Sequence, residues 1–401
     1  MEPPIRDRAL ADLYLRAGVL VREFSDSLPP YPSLPQPLVV QGFERGTKLN
    51  IELFFEFLRT GRLPGEEETR ELVALALDRV RDGERLEEVL SRYRSGAEFI
   101  YARLRASSTP GEHELLADAA VPLLQYITLI VERIAIACVR RAHDPRWELL
   151  ERRRSIADAL ITGRDPVEWA DEPAITVPDA FLIAVFRLGA AVRPAGPKAA
   201  APPSSTSELR HRIEAIPGVF LRLDSGGWTA LVPLRPGDDG TATTAGLAAR
   251  LPARAPDLPP PFWVGVGAAP SRADIPGVVA EARALAELGR CLDRRELLCR
   301  RADLHFEYTV AASGPARPGL AVVLAPLDAQ PLLAQTLEVF VDTGFNQLAT
   351  ARLLNVHRNT VTYRLARVHE LTGLDPHRPT DAMTLSAARI ARRLETASFA
   401  P

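Results

Sequence analysis

The sequence predicts a multidomain protein: an all-α bundle at the N-terminus, an α+β domain in the middle and a second all-α domain at the C-terminus. Three observations lead there. Apolar residues recur at three- and four-residue steps through 5–28 and 48–142, the mark of helices with one buried face. Near residue 180 the pattern gives way to short continuous apolar runs of strand length, and from Pro331 onward it is helical again. A chain of 401 residues has room for two to four domains at roughly 100–200 residues each.

In the first segment, Leu49, Leu53, Phe54, Phe57 and Leu58 share a helical face, as do Leu72, Leu75, Ala76, Arg79 and Val80. Leu86, Val89, Leu90, Tyr93, Ala97, Ile100, Tyr101 and Leu104 make a third stripe. Pro29, Pro30, Gly61, Pro64, Gly83, Pro110 and Gly111 separate these runs, which predicts a bundle of four or five helices over 1–145. The aromatic and apolar residues Phe54, Phe55, Phe57, Tyr93, Phe99 and Tyr101 read as core. Residues 146–162 read as a connecting helix whose basic run, Arg152–Arg154, is a solvated face.

The middle segment, 163–310, opens with the buried-strand run AFLIAVFRL (180–188). The Pro/Ala/Ser stretch RPAGPKAAAPPSSTS then reads as an exposed flexible loop. VFLRLD and WTALVPL are strands joined by Ser225-Gly226-Gly227, a hairpin signature. A short helix over 242–250, a strand at WVGVGAA (263–269) and an amphipathic helix over 275–288 complete a small α+β sandwich. Residues 311–330 read as a second linker. The last segment, 331–401, predicts one helix ended by Gly344, then Gln347–Leu354, His357–Thr372 with Gly373 as its C-cap, and Thr380–Leu394.

Composition narrows the function classes. Apolar residues at 46% and charged residues at 25% exclude wholesale disorder, and a net charge of -2 excludes a chain that coats nucleic acid with bulk charge. Cys138, Cys291 and Cys299 are too few and too scattered for a disulfide framework or a zinc knuckle, so they read as buried free thiols in a reducing compartment. The start of the chain carries Glu2 and no apolar core, so no signal peptide is expected. The most apolar stretch, 121–139, holds Glu132 and Arg133 at its centre and reads as a buried amphipathic helix rather than a membrane span. A cytoplasmic protein is expected.

The stretch with functional content is NQLATARLLNVHRNTVTYRLARVHELTG (346–373). A helix-turn-helix needs two short helices crossing steeply through a tight turn. Ala351 supplies the small residue where the helices touch, and Asn355 supplies a residue tolerant of left-handed φ four positions later. Leu354, Val356 and Val361 then fill the wedge, and Leu365 and Val368 continue the stripe. His357, Arg358, Asn359, Thr360, Thr362, Tyr363, Arg364 and Arg367 lie at or near the N-terminal half of the second helix, the end that enters a major groove. Arg and Asn can read guanine and adenine edges bidentately, while Thr, Tyr and backbone N–H groups hold phosphates. Four arginines (352, 358, 364, 367) against the single acid Glu370 make a local patch of net +3.

These residues carry a resemblance. The stretch LAPLDAQPLLAQTLEVFVDTGFNQLATARLLNVHRNTVTYRLARVHELTGLDP, with its core VHRNTVTYRL (356–365), resembles the DNA-binding domain of the PucR family of bacterial transcriptional regulators. The resemblance implies a regulator that binds double-stranded operator DNA as a homodimer or higher oligomer and answers to a small-molecule effector or metabolic state. It further implies a degenerate GGDEF-like domain in the middle and an RsbR-like sensory domain at the N-terminus, where DGERLEEVLSRYRSGAEFIYARL (82–104) is the nearest match. Within that reading, Arg358, Asn359, Thr362 and Tyr363 face bases or nearby phosphates, and Arg364 and Arg367 mainly contact phosphate.

An enzyme is the first rival. A nucleotide cyclase of the GGDEF type needs acids at its central hairpin to hold two metal ions. LDSGGWTAL keeps the glycines but has Trp228 and Thr229 where the acids belong, and FLIAVFRL has no aspartate, so neither catalysis, metal nor cofactor is expected. There is no phosphate-binding G-x-x-x-x-G-K-[ST] loop, no H-E-x-x-H and no G-x-S-x-G, and GVGAAP (265–270) reads as a strand end. None of the seven histidines pairs at ligand spacing. The other alternative is a signalling scaffold of the stressosome type whose DNA-binding end is vestigial.

Overall fold

The computed structural model describes residues 3–27, 36–81, 84–142, 145–166, 175–189, 205–224, 226–251 and 262–400. The expected breaks at Pro29, Pro30 and Gly83 lie outside the described residues, as do the loop residues 193–204 and the hairpin's Ser225. The chain divides into two compact units. One comprises 1–178, 188–231 and 250–253; the other comprises 179–187, 232–249 and 254–401.

The first unit begins with five helices: α1 (Pro3–Ser27), α2 (Gln36–Thr60), α3 (Glu66–Arg81), α4 (Leu86–Ala106) and α5 (Pro110–Ala142). Their ends follow ordinary capping physics. Helix α3 opens on Glu66-Glu67-Glu68 and closes on Arg79 and Arg81, so both ends complement the helix dipole. Before α5, the Thr109 N–H donates to the Glu112 carboxylate at 2.7 Å, the capping-box pattern, and Pro110 takes the first helical position, where its missing N–H costs nothing. The sequence reading treats Pro110 as a separator, and the structure places it as a helix start.

Two apolar clusters hold the bundle. Leu10, Leu13, Ala17 and Val21 of α1 pack with Ile51, Ile100, Leu104, Leu115 and Leu116. Phe57, Leu72, Ala76 and Val89 pack with Tyr126, Ile130 and Ile134 of α5. Among the described residues, α5 is long and apolar enough by length and composition to cross a membrane. In this structure one of its faces lies in the bundle, and Arg133, at its apolar centre, donates to the Gly65 carbonyl at 2.8 Å and the Thr69 hydroxyl at 2.6 Å.

The helix read as a connector, α6 (Pro145–Ile161), buries Ile156, Ala157, Ala159, Leu160 and Ile161 and packs on a hairpin of the same unit. Its Asp158 pairs with Arg222 at 3.1 Å. The Arg152 and Arg154 side chains pair with Glu148 and Glu151 along the helix, as a solvated face does. The hairpin is β2 (Phe220–Asp224) and β3 (Gly227–Pro233), antiparallel with Asp224 opposite Gly227, and α7 (Ser205–Glu214) precedes it.

The second unit holds β1 (Phe181–Leu188), α8 (Thr241–Ala248), β4 (Phe262–Ala269), α9 (Ile275–Cys291) and β5 (Leu298–Arg300). Within this unit the strand order is β1-β4-β5. The order strand, hairpin, helix, strand, helix agrees with the sequence reading, and α7 begins at Ser205, inside the stretch read as a flexible loop. The three-residue β5, parallel to β4, was not legible because so short a strand has no period. GVGAAP is a packing device rather than a ligand loop. A Cβ on Gly265 would lie 1.8 Å from the Ala282 carbonyl oxygen, so the missing side chain lets α9 lie directly on β4.

The expected linker at 311–330 is a correction. It holds α11 (Ala316–Val322) and a tight turn over Ala325–Leu327, with Leu324 and Leu327 buried beside Leu333, Leu337, Val368 and Leu385. Pro315 sits at the helix start, where proline is tolerated, and the buried Leu324 and Leu327 follow just beyond the helix. Before it, α10 (His305–Ala311) packs with α11 against the last helix. Trp263, Leu285, Leu288 and Cys299 share one core with Ile390, Ala391 and Leu394, so the compact units do not part at 311–330.

Candidate nucleic-acid interface

The C-terminal helices are α12 (Pro331–Asp342), α13 (Gln347–Leu353), α14 (Arg358–Thr372) and α15 (Pro379–Thr396). Gly344 and Phe345, with φ of 66° and 63°, turn the chain out of α12. Asn346 then caps α13: its side-chain oxygen accepts from the Ala349 N–H at 3.0 Å. Between α13 and α14, Asn355 adopts φ 52°, the left-handed turn expected of it. His357 caps α14, its ring Nδ1 accepting from the Asn359 N–H at 3.2 Å, and Gly373 closes the helix at φ 74°.

The wedge differs in one respect from the sequence reading. Ala351, Val361 and Leu365 are buried and Val356 packs against them, but the large side chain at the centre is Phe340 of α12. Leu354 is only half-buried. Phe340 was missed because it contacts the motif from a preceding helix, outside the motif's own spacing. It also stacks edge-on with Phe345 and His377, at 5.6 and 5.5 Å between ring centroids.

On the outer face, His357, Arg358, Asn359, Thr362, Tyr363 and Arg367 are exposed, and Thr360 and Arg364 are half-buried. Tyr363 is 71% exposed, a large aromatic ring held in solvent. Arg358 Nε reaches Gln347 Oε1 at 3.4 Å, a long and weak bond that tethers it to the start of α13. Gln347 also meets the His377 ring at 3.2 Å, so one glutamine ties three segments around the N-terminus of α14. Sequence reasoning did not single out Gln347, which lies at the start of the other helix. Arg367 pairs with Glu370 one turn on, while Arg364 turns inward and donates to the Thr336 hydroxyl at 3.2 Å. The face therefore presents Arg358, Asn359, Thr362 and Tyr363 outward and holds Arg364 against the bundle.

In the first unit, Trp228 and Thr229 of β3 are buried, and the Asp224 carboxylate accepts from the Gly226 N–H at 2.9 Å, closing the turn. Among the described residues, no three His, Cys, Asp or Glu side chains gather as metal ligands would.

Comparison with known proteins matches both ends of the chain. Residues 333–391 match the PucR C-terminal helix-turn-helix domain, and residues 17–154 match the N-terminal domain of the RsbT co-antagonist protein rsbRD. An uncharacterized protein of Mycobacterium tuberculosis is 49% identical over 67 residues, 16% of this chain and 16% of its own. The carbohydrate diacid regulator of Escherichia coli is 46% identical over 52 residues, 13% of this chain and 14% of its own. The match thus spans at most 16% of the length of these curated relatives. The crystal structure of a regulator of polyketide synthase expression from Bifidobacterium adolescentis aligns over 61% of this chain and 93% of that one, at 21% identity and a TM-score of 0.28, which carries no argument about fold. The chain thus carries a PucR-type helix-turn-helix domain at one end and, at the other, a domain similar to the RsbRD N-terminal domain.

Proposed function

We propose that this protein is a sequence-specific DNA-binding transcriptional regulator of the cytoplasm. The observation that carries the reading is the N-terminal half of α14, where Arg358, Asn359, Thr362 and Tyr363 stand in solvent behind a capped, left-handed turn. A short helix presented this way fits a major groove, with Arg and Asn suited to base edges and Thr and Tyr to phosphates. One such helix reads too few base pairs for useful specificity, so the working form is at least a homodimer on half-sites about 34–36 Å apart or a multiple of it. Its N-terminal domains receive the signal. The element order of the middle segment, with Trp228 and Thr229 buried at the hairpin, supports a degenerate GGDEF-like domain that has left catalysis behind.

The test is fluorescence anisotropy of the full chain with DNA from upstream of its own gene, against scrambled DNA, across salt. Preference for the native fragment with a steep loss on raising salt supports the reading. Equal binding of both fragments at every salt concentration overturns it. The similarity of residues 17–154 to the N-terminal domain of the RsbT co-antagonist protein rsbRD favours one second reading, a scaffold with a vestigial DNA-binding end, which predicts oligomerisation without any DNA preference.

A further inference from the structure

Helices α1 to α5 surround a cavity of about 150 Å³. An apolar cavity of about that volume accommodates a benzene-sized molecule. Its wall is mainly apolar, with Leu13, Ile51, Phe54, Ile100 and Ile130 among the lining residues. Two tyrosines in the wall are satisfied internally: the Tyr126 hydroxyl donates to Asn50 Oδ1 at 3.0 Å and that of Tyr101 to the Leu116 carbonyl at 2.8 Å.

Glu84 breaks the pattern. It lines the same cavity with its side chain only 2% exposed, and Arg92 donates to its Oε2 at 2.5 Å. Its Oε1 is buried and has no hydrogen-bond partner. A buried carboxylate oxygen with nothing to accept from is costly, and an incoming N–H or O–H removes that cost. Arg92 already balances the charge, so a neutral donor suits the site better than a second cation, which would have to shed its hydration.

We propose that this cavity is a binding site for a small, neutral, mostly apolar molecule of about one ring, carrying a hydroxyl or N–H group that donates to Glu84 Oε1. That such a ligand is the signal for DNA binding rests on the regulator reading above; the binding itself does not, and it is measured without DNA.

Phenol and toluene have nearly the same shape and differ in the hydroxyl. In thermal unfolding and calorimetric titration of the full chain, phenol raises the melting temperature with concentration and binds about tenfold or more tighter than toluene. Glu84→Leu erases that preference. Ala119→Leu, which adds bulk to the wall and leaves the carboxylate in place, abolishes binding of both and keeps the test valid should Glu84→Leu fail to fold. Equal affinity for the two probes, no binding of either, or undiminished binding by Ala119→Leu each overturn the proposal. The vacant acceptor would then belong to an ordered water.

Discussion

The Arg364 guanidinium donates to the Thr336 hydroxyl at 3.2 Å, and the hydroxyl of Thr336, fully buried in α12, donates in turn to the Leu332 carbonyl at 2.6 Å. An arginine on the basic face of α14 is thereby a brace between helices. Arg364→Met keeps the aliphatic stem and loses the bond, so it lowers stability by about 0.5–1.5 kcal/mol in urea unfolding. Arg358→Ala, at an exposed site, changes stability by less than about 0.5 kcal/mol. Equal losses for the two variants would show that Arg364 is not a brace.

Two exposed arginines of α14, Arg358 and Arg367, separate on DNA. Arg358→Ala costs about 1–3 kcal/mol of operator binding and relaxes specificity at one base position. Arg367→Ala weakens native and scrambled DNA alike and lowers the slope of log affinity against log salt by about 1. Anisotropy titrations at several salt concentrations measure both. Unchanged affinities for both fragments with Arg358→Ala would remove it from the interface.

Asn355 at φ 52° sits where a side chain costs energy and glycine does not. Asn355→Ala destabilises the protein by about 1 kcal/mol, and Asn355→Gly is close to neutral. Chemical denaturation of the two variants side by side decides the matter, and an Ala variant as stable as the Gly variant contradicts it.

Glu287 of α9 is fully buried between two arginines: Arg187 Nε of β1 at 2.6 Å and Arg290 at 2.6 Å. Arg290 also donates to the Ala397 carbonyl at 2.7 Å, so the cluster ties the strand, the helix and the end of the chain. Removing the acid leaves two half-buried guanidinium groups without their carboxylate partner. Glu287→Ala therefore costs about 1–3 kcal/mol, read as a lowered urea midpoint and melting temperature.

Burial pushes the Cys291 and Cys299 thiols up to about 12, from an ordinary value of 9.0. The unfolded chain gives up these protons first. The thiols' contribution to stability is therefore full below pH 9 and is lost as pH climbs from 9 toward 12. Tyr93 and Tyr126, also raised by burial, add to the decline above pH 10. Urea midpoints at pH 8, 10 and 11 should fall in that order, and Cys299→Ala should flatten the fall. A midpoint independent of pH in this range would show the thiols to be accessible in the native state.

The helix-turn-helix was legible because its determinants are local. Ala351, Asn355, Val361, Leu365, Val368 and Gly373 each act within a turn or two of their neighbours, and each occupies the predicted conformation or burial. The order of strands and helices in the middle segment was legible for the same reason, since a period needs only a few residues to declare itself. Which arginine faces outward was not, because Arg358 and Arg364 are alike in sequence and differ only in whether Thr336, 28 residues upstream of Arg364, lies within reach.

What the sequence by itself determined is most of the elements, the chemistry of one helix face and the family whose helix-turn-helix it resembles. The tertiary structure alone decided that Phe340 fills the wedge, that Leu324 and Leu327 join a core, and that Glu84 lines a mainly apolar cavity. The physical reason is range. Hydrogen bonding and periodicity act over a few residues and leave their pattern in the chain. Burial is set by whichever distant side chains arrive on the other side, and no local pattern records them.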